Sequence, residues 1–171
     1  NIDWYNPGSK LIRLLWFIVN AVFMQSKLNL CNSFKVLLLR LFGARVGRNV
    51  VVKPGVNIKY PWKLEIGNYV WIGEDVWIDN LDDVIIGSNV CISQGAMLLC
   101  GNHNYKKSTF DLIIGKIQIE DGVWIGARSV ITQNIVCESH SVLAVNSVAS
   151  SNLDSYAIYR GNPAKKIRDR R

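Results

Sequence analysis

Aliphatic residues recur at six-residue steps through most of this chain, and a second small or β-branched residue lies four positions after nearly every one of them. A six-residue period fits neither an amphipathic helix nor one long strand. It predicts short strands joined by turns and wound into a prism, in which alternate side chains point inward. Glycine directly follows several of these residues, which suits a corner that bends tightly or takes a positive φ. The predicted inward positions are Val46, Val52, Ile58, Ile66, Ile72, Ile78, Ile86, Ile92, Leu98, Ile113, Ile119, Ile125, Ile131, Cys137, Leu143 and Ala149.

The six-residue spacing is broken at three places, each after the third position of a set of three. The step widens to eight residues after Ile58 and after Ile78, and to fifteen residues after Leu98. Since three units make one triangular coil, all three insertions should leave the prism at the same edge, one above another. The two shorter insertions are equally compatible with ordinary corner turns, which favour Asp and Asn. The side chains that we expect to become neighbours at this edge are Tyr60, Trp62, Asp79, Asn80, Asp82 and His103.

The patterning divides the chain into three parts. These are a helical segment at 1–45, a repeat domain of roughly five coils at 46–151 with a loop at 99–112, and a basic tail at 152–171. We predict one helix over residues 10–30 and a second over residues 34–42, which Asn32 or Ser33 caps and Gly43 ends. The apolar run at 14–24 is too short to span a bilayer. Two interpretations stay open for these helices: a lid packed on the prism, or a segment in a membrane interface, which favours apolar faces with basic rims.

Composition limits the classes of protein that fit. The 171 residues are 49% apolar and 19% charged, which favours one folded domain over disorder. The net charge of +7 suits an anionic ligand or a membrane surface, whereas the motifs of nucleic-acid-binding modules are absent, so we expect no nucleic-acid partner. The four cysteines form no CxxC pair and no metal spacing, so we expect no metal and predict a reduced, cytoplasmic protein.

Three tryptophans, Trp71, Trp77 and Trp124, fall one place after the second inward residue of their repeats and should point outward. Exposed tryptophans on a flat wall are unusual unless another surface covers them. We therefore expect contact between subunits there, or contact with the N-terminal helices.

Several motifs accompany the repeat: Gly-Asn-His-Asn-Tyr at 101–105, Asp-Gly-Val-Trp-Ile-Gly-Ala at 121–127 and Gly-Asn-Pro-Ala at 161–164. With the repeat they resemble the CoA-dependent hexapeptide acyltransferases, most closely the colanic-acid-biosynthesis type of O-acetyltransferase. The maltose and galactoside O-acetyltransferases look like more distant relatives. The resemblance implies a mainly β fold, the left-handed parallel β-helix, which departs from the usual right-handed crossover. It also implies a homotrimer with the active site in a groove between two subunits, and acetyl-CoA as the co-substrate.

The resemblance makes His103 the general base. The chemistry agrees, because a neutral imidazole near pH 7 can take a proton from a sugar hydroxyl as that hydroxyl attacks a thioester. No serine or cysteine shows a triad arrangement with it, which favours direct transfer over an acyl-enzyme. The plain alternative is a loop histidine without a role. The second histidine, His140, is interpreted as a surface residue.

By the family pattern, CoA runs along the wall of the β-helix, and its phosphates meet the later coils and the basic tail. Cationic side chains suit phosphates. Relatives usually carry a Gly-Ser-x-Val-Thr-Lys run, but this chain reads Asn-Ser-Val-Ala-Ser-Ser at 146–151, so Ser151 stands where the lysine would be. The alternative for the basic tail is a solvated chain end. The predicted cofactor-binding residues are Ala127, Val145, Ser150, Ser151, Lys165 and Arg168.

The acceptor site is expected at the edge where the insertions meet. The predicted acceptor-binding residues are Asp79, Asn80, Asp82, Tyr60 and Trp62. Asn80 would bond a sugar hydroxyl, Asp82 would also orient His103, and the two aromatic rings would stack on a sugar. These features predict acetyl transfer to a sugar hydroxyl in surface polysaccharide biosynthesis. The acceptor in such reactions is often lipid-linked, which suits peripheral membrane contact at the inner face.

Three other functions fit parts of the pattern. A xenobiotic or amino-sugar acetyltransferase uses the same scaffold. A non-catalytic β-helix scaffold subunit has no need of the long loop that carries His103. A γ-type carbonic anhydrase shares the prism but requires three histidine ligands for zinc, and this chain has two histidines.

Overall fold

The structure, a computed structural model, describes residues 4–28 and 31–170. Most of its strands are two or three residues long and are separated by corners of the chain. In chain order the strands are β1 (Arg45–Val46), β2 (Val51–Val52), β3 (Asn57–Ile58), β4 (Leu64–Ile66), β5 (Trp71–Ile72), β6 (Trp77–Asp79), β7 (Val84–Ile86), β8 (Cys91–Ile92), β9 (Met97–Leu99), β10 (Gly101–His103), β11 (Leu112–Ile114), β12 (Ile117–Ile119), β13 (Trp124–Ile125), β14 (Val130–Ile131), β15 (Val136–Cys137), β16 (Val142–Leu143), β17 (Val148–Ala149), β18 (Ala157–Gly161) and β19 (Ala164–Asp169).

Three parallel walls enclose a prism. Wall A contains β1, β4, β7, β12 and β15, wall B contains β2, β5, β8, β13, β16 and β18, and wall C contains β3, β6, β9, β14 and β17. The inward positions stay in register from coil to coil, so that Val46, Ile66 and Ile86 lie side by side in wall A. Each six-residue unit therefore crosses one wall and one corner, and the predicted parallel β-helix is confirmed.

Inward aliphatic side chains fill the prism, and the glycines at its corners let the coils stack. Ile72, Ile92 and Ile125 of wall B have no exposed surface. A Cβ on Gly47 would lie 2.5 Å from the carbonyl oxygen of Gly67, and a Cβ on Gly67 would lie 2.7 Å from the carbonyl of Gly87. Gly47 and Gly67 do not have a positive φ. Glycine is required at these two corners because the backbones of successive coils approach too closely for a side chain.

The predicted inward position Ile113 is wrong. Ile113 lies in β11, outside the prism, and is 39% exposed. The fourth coil starts instead at Ile119, which pairs beside Ile86 of the third coil. The two isoleucines are six residues apart, so the period alone could not tell which one re-enters the wall. The step from Leu98 to the next inward position is therefore twenty-one residues rather than fifteen.

The N-terminal segment is helical, with bounds that differ from the prediction. Helix α1 (Lys10–Val19) continues as a π-helix (Asn20–Met24), and helix α2 (Asn32–Leu41) follows. The predicted end of the first helix at residue 30 lies outside the described residues. Cys31 takes the N-cap position of α2, and neither of the two predicted capping residues does. No helix in the described ranges is long and apolar enough to cross a membrane.

Side chains of these helices occupy the free edge of the first coil. Arg40 donates to the carbonyl oxygen of Val46 on β1, and Asn32 bonds both the carbonyl oxygen of Val50 and the N–H of Val52 at 2.8 and 2.7 Å. Trp16 donates from Nε1 to the carbonyl oxygen of Ile58 at 2.7 Å. Unpaired strand edges invite association with other chains. The helices thus pack as a lid on the prism, and Asn32 closes β2 instead of capping α2.

The C-terminal part continues the β-helix rather than leaving it as a loose end. Leu153 forms a bridge to Cys137 of wall A, and β18 pairs in parallel with β16 of wall B. Strand β19 then folds back on β18 as an antiparallel hairpin. The basic residues of this region are therefore fixed on a strand. A partial sixth coil follows the five complete ones.

Candidate active site

His103 lies at the end of a hairpin that projects from the prism. We call residues 101–114, which contain β10 and β11, the His103 hairpin; the two strands are antiparallel, and His103 stands opposite Leu112. The root of the hairpin is fixed because Cys100 is buried and donates its N–H to the carbonyl oxygen of Asp79 at 3.2 Å. The His103 side chain is exposed. The chain thus delivers one histidine to the surface on a well-anchored support.

The contacts of the His103 ring determine its tautomer. Nδ1 lies 3.1 Å from the carbonyl oxygen of Phe110, and the imidazole stacks on the Phe110 ring at 4.5 Å with 7° between the planes. A carbonyl oxygen only accepts hydrogen bonds, so Nδ1 is the donor, and in the neutral ring Nε2 has the lone pair. The arrangement leaves Nε2 able to accept a proton from a ligand hydroxyl.

Phe110, which sequence reasoning missed, takes the orienting role that we expected of Asp82. The Asp82 carboxylate accepts a hydrogen bond from the N–H of Asp83 at 2.8 Å, whereas Phe110 supplies both the carbonyl and the ring that contact His103. Phe110 adopts a left-handed backbone conformation with φ of 47°, which aims its carbonyl at a residue seven positions earlier. Nothing in the sequence pattern signals that contact.

The three insertions do lie at one edge of the prism, as predicted. Each follows a strand of wall C, and the Leu81 side chain of the second lies against Gly101 of the third. Asn80, however, has no exposed surface, and its amide bonds the N–H of Tyr60 at 2.9 Å and the carbonyl oxygen of Tyr60 at 2.6 Å. The prediction that Asn80 meets a sugar hydroxyl is therefore wrong, because its amide joins two successive coils.

The remaining predicted acceptor residues differ in how accessible they are. The Asp79 carboxylate pairs with Lys59 at 2.8 Å at the surface of this edge. The rings of Tyr60 and Trp62 stack at 5.0 Å, and Trp62 also packs against the turns at Gly8 and Gly43. Trp62 therefore packs between the N-terminal segment and the prism, and its half-buried ring remains a predicted acceptor contact.

The predicted CoA residues lie at two other places. Ala127 and Val145 follow wall B strands one coil apart, at the corner between walls B and C, and the N–H of Asn146 bonds the carbonyl oxygen of Ala127 at 3.0 Å. The β18–β19 turn reaches the same corner, where the N–H of Gly161 bonds Oγ of Ser147 at 3.0 Å. Wall C separates this corner from the His103 hairpin within one chain.

The basic and serine residues of the predicted CoA site are exposed. Lys165 and Arg168 lie on β19: Lys165 stands opposite Arg160 beside the turn that reaches this corner, whereas Arg168 stands opposite Ile158, toward the other end of wall B. Ser150 and Ser151 follow β17, so they lie at the edge of the His103 hairpin, two coils further along the prism. One chain therefore does not bring all six predicted residues together.

Comparison with known proteins shows the family. The “Putative colanic acid biosynthesis acetyltransferase WcaF” of Escherichia coli (strain K12) is 32% identical over 166 residues, covering 97% of this chain and 91% of that protein. The chain belongs to the hexapeptide-repeat acetyltransferases. Galactoside O-acetyltransferase of E. coli (strain K12) is 27% identical over 135 residues, covering 77% of this acetyltransferase and 66% of that enzyme. No family model matches the chain.

A solved structure supports the same fold. The hexapeptide-repeat acetyltransferase of Vibrio cholerae O1 biovar eltor, complexed with acetyl-CoA, superposes with a TM-score of 0.85 at 24% identity, covering 95% of this chain and 88% of that one. The predicted left-handed β-helix is confirmed for this acetyltransferase.

The thiols of the acetyltransferase are poorly suited to nucleophilic catalysis near His103. Burial raises the pKa of the Cys100 thiol to about 12, and burial raises the pKa of Cys137 to about 12 as well. Such thiols stay protonated and weakly reactive at neutral pH. Cys31 has a lowered pKa, because backbone N–H groups of Ser33 and Phe34 bond its sulfur, but it lies at the start of α2.

The second histidine differs from the prediction of a plain surface residue. The His140 ring is half-buried and stacks on Tyr156 at 4.7 Å with 2° between the planes. Arg170 donates to the carbonyl oxygen of His140 at 3.0 Å. His140 therefore helps to fix the C-terminal strands to the prism, far along the stack from the His103 hairpin.

Proposed function

We propose that this acetyltransferase moves an acetyl group from acetyl-CoA to a sugar hydroxyl of a surface polysaccharide precursor. One observation carries the proposal: His103 stands on an anchored hairpin with Nδ1 3.1 Å from the Phe110 carbonyl oxygen, which makes Nε2 the acceptor nitrogen of the neutral ring. The relatives that act in colanic acid biosynthesis and on galactosides support the sugar as acceptor, and the acetyl-CoA complex of the Vibrio cholerae structure supports the donor.

The chemistry follows from that tautomer. Nε2 accepts the hydroxyl proton as the sugar oxygen attacks the thioester carbonyl, and the C–O bond forms. The tetrahedral intermediate then expels the CoA thiolate, which takes the proton from the imidazolium. The Phe110 carbonyl stabilises the cation between these steps, because the positive ring donates more strongly from Nδ1.

Direct transfer is favoured over an acyl-enzyme. The buried thiol at the root of the hairpin, Cys100, has a raised pKa, and within the described residues the His103 ring hydrogen-bonds and stacks with Phe110 alone. A nucleophile activated by His103 would need to lie within hydrogen-bond reach of the ring. The acceptor hydroxyl is therefore the group that fills this position.

We also propose that the enzyme is a homotrimer whose site lies between two copies. Within one chain, wall C separates the His103 hairpin from Ala127 and Val145. Exposed tryptophans on the outer walls, Trp71 and Trp124 on wall B and Trp77 on wall C, offer apolar surface for a second copy. A neighbouring chain would bring its own Ala127 and Val145 to the His103 hairpin of the first chain. Its strand β19 would supply Lys165 and Arg168 to the phosphates of CoA.

The lid also supports work at the inner face of a membrane on a lipid-linked acceptor. The outer face of α1 exposes Leu11, Leu14 and Ile18, while Lys10 begins the same helix. Apolar faces with basic residues suit an anionic membrane interface. This face points away from the prism, so membrane contact would leave the walls free for trimer formation.

The test is thiol release from acetyl-CoA on mixing with a panel of glycans, for the wild type, His103→Gln and His140→Gln. We expect acceptor-dependent release that falls by about a hundredfold or more in His103→Gln, the range for loss of a general base. His140→Gln should keep its rate, and light scattering should give the same oligomer for all three. Alkali-labile acetyl product identifies an ester. Full turnover in His103→Gln would reject the base, and an amide product would reject the hydroxyl acceptor.

A further inference from the structure

A cavity of about 360 Å³ lies between α1 and the edge of wall C, and the mechanism above does not use it. We call it the Arg13 cavity. One face of α1 and the π-helix contributes Arg13, Trp16 and Asn20, which follow helical spacing, and the prism contributes Asn57 and Lys59. Sites for small ligands usually enclose roughly 300–1,000 Å³, so the Arg13 cavity is large enough for a sugar unit.

Hydrogen bonds on its floor make the Arg13 cavity a built feature. Trp16 donates from Nε1 to the carbonyl oxygen of Ile58 at 2.7 Å, and the Asn20 amide donates to Oδ1 of Asn57 at 2.7 Å. Trp16 is also buried. The helix is therefore tied to the wall at two points, and the space beside these contacts keeps its shape without a ligand.

The charges that line the Arg13 cavity leave one positive charge uncompensated. Lys59 and Asp79 pair at 2.8 Å and neutralise each other. Within residues 4–28 and 31–170, Arg13 has no ion-pair partner, and its buried Nε has no hydrogen bond. A buried donor without an acceptor is costly, and a guanidinium suits the planar oxygens of a carboxylate or a phosphate. An anionic group would supply the acceptor that the Arg13 guanidinium lacks.

Aromatic rings and the position of the Arg13 cavity point to a carbohydrate carrier for that group. Tyr60, Trp77 and Phe17 line the same space and offer apolar ring surface. The backbone carbonyl of Asp79, another lining residue, holds Cys100 at the root of the His103 hairpin at 3.2 Å. A molecule that occupies the cavity therefore lies at the edge from which the hairpin projects.

We propose that the Arg13 cavity binds an anionic group, a phosphate or a carboxylate, carried by the sugar acceptor. The proposal rests on the proposed function and narrows its acceptor to a charged carbohydrate. Arg13 supplies the charge and the hydrogen bonds to the anion, and the aromatic rings contact the sugar. Neutral sugars of the same size lack the group that satisfies Arg13 and bind more weakly.

Binding without acetyl-CoA tests this separately from catalysis. We would titrate the full chain with glucose 1-phosphate, glucuronic acid and glucose, and follow heat by calorimetry and tryptophan emission from Trp16 and Trp77. The variants are Arg13→Gln, Arg13→Lys, which keeps the charge, and Lys10→Gln, which removes one charge from the same helix outside the cavity. We expect at least one anionic sugar to bind tenfold or more tightly than glucose, by about the strength of one charged hydrogen bond.

Arg13→Gln should remove that preference, Arg13→Lys should keep most of it, and Lys10→Gln should match the wild type. The phosphate and carboxylate arms identify which anion the site prefers. Equal binding of all three sugars, or equal losses in Arg13→Gln and Lys10→Gln, would overturn the proposal. Arg13-dependent binding with no acetyl transfer to any glycan would support the cavity assignment and reject the proposed function. Acetyl transfer to neutral glycans only would support the proposed function and reject the cavity assignment.

Discussion

The prism and the elements added to it differ in how their residues are held. Inside the prism, Ile92 and Leu98 have no exposed surface, and each inner coil is bonded to the coils on both sides. The lid and the His103 hairpin expose large apolar or reactive side chains, such as Leu11 and Phe17, each more than 60% exposed. A residue in the walls is therefore held by many contacts, whereas a residue of the hairpin is held by one or two contacts.

Thiol chemistry gives the widest contrast between the two regions. Cys100 and Cys137 are buried, and burial raises the pKa of each to about 12. Cys31 is exposed at the start of α2, where backbone N–H groups lower its pKa. The thiolate is the reactive form, and its fraction grows as the pH rises toward the pKa. At neutral pH, iodoacetamide should label Cys31 at least about a hundredfold faster than either buried thiol, and the rate should fall as the pH is lowered.

Mass spectrometry of peptides after timed labelling measures this contrast. Cys31→Ser should remove the fast phase without changing acetyl transfer, and denaturant should make the buried thiols reactive. Rapid labelling of Cys100 in the folded protein would show that the root of the hairpin opens. It would contradict the view that residues of the prism are held more firmly than those of the added elements.

The repeat predicted the prism well because an inward position every six residues is a local property. Val46, Ile66 and Ile86 could be placed side by side by counting alone, and the common edge of the insertions followed from the same count. Counting could not choose between Ile113 and Ile119, since both obey the period. Only the pairing of β12 with β7 decides which of them enters the wall.

The candidate site was predictable only in part, because a polar side chain does not reveal its partner. His103 was found from its loop, but the Phe110 contact depends on a left-handed residue within a hairpin. Asn80 has a residue type suited to sugar binding, yet it bonds the backbone of Tyr60 one coil away. The Arg13 cavity forms between segments that are more than thirty residues apart in sequence, and no local pattern encodes it.

Asn80→Ala tests whether a polar residue at the insertion edge belongs to the walls. We expect the free energy of unfolding to fall by about 1–3 kcal/mol, because the N–H and carbonyl of Tyr60 lose their partners in a buried place. The KM for the acceptor should change little in the protein that remains folded. Denaturant unfolding and initial rates measure the two effects.

Asp82→Ala is the matched control for that experiment. Asp82 lies two residues further along the same insertion and is half-buried, and its carboxylate accepts a hydrogen bond from the adjacent N–H of Asp83. Its replacement should change the free energy of unfolding by less than about 0.5 kcal/mol, the usual range for sites without buried partners. If Asn80→Ala instead raises the acceptor KM strongly and leaves stability unchanged, then Asn80 binds the acceptor.

Phe110→Ala should have the opposite effect to Asn80→Ala, a loss of activity without a loss of stability, because it removes a contact from the hairpin and none from the walls. The ring stacks on His103, and Phe110 is itself 55% exposed, so stability should hold within about 0.5 kcal/mol. We expect kcat to fall about tenfold with acceptor KM nearly constant, because a base that is held loosely spends less time aligned with the hydroxyl. Phe110→Tyr keeps the ring and should keep most of the rate. Two results would contradict this: a rise in KM alone for Phe110→Ala, or an equal loss of activity in the tyrosine and alanine variants. Either would mean that the Phe110 ring contacts the substrate, and that His103 is positioned by more than its two contacts with Phe110.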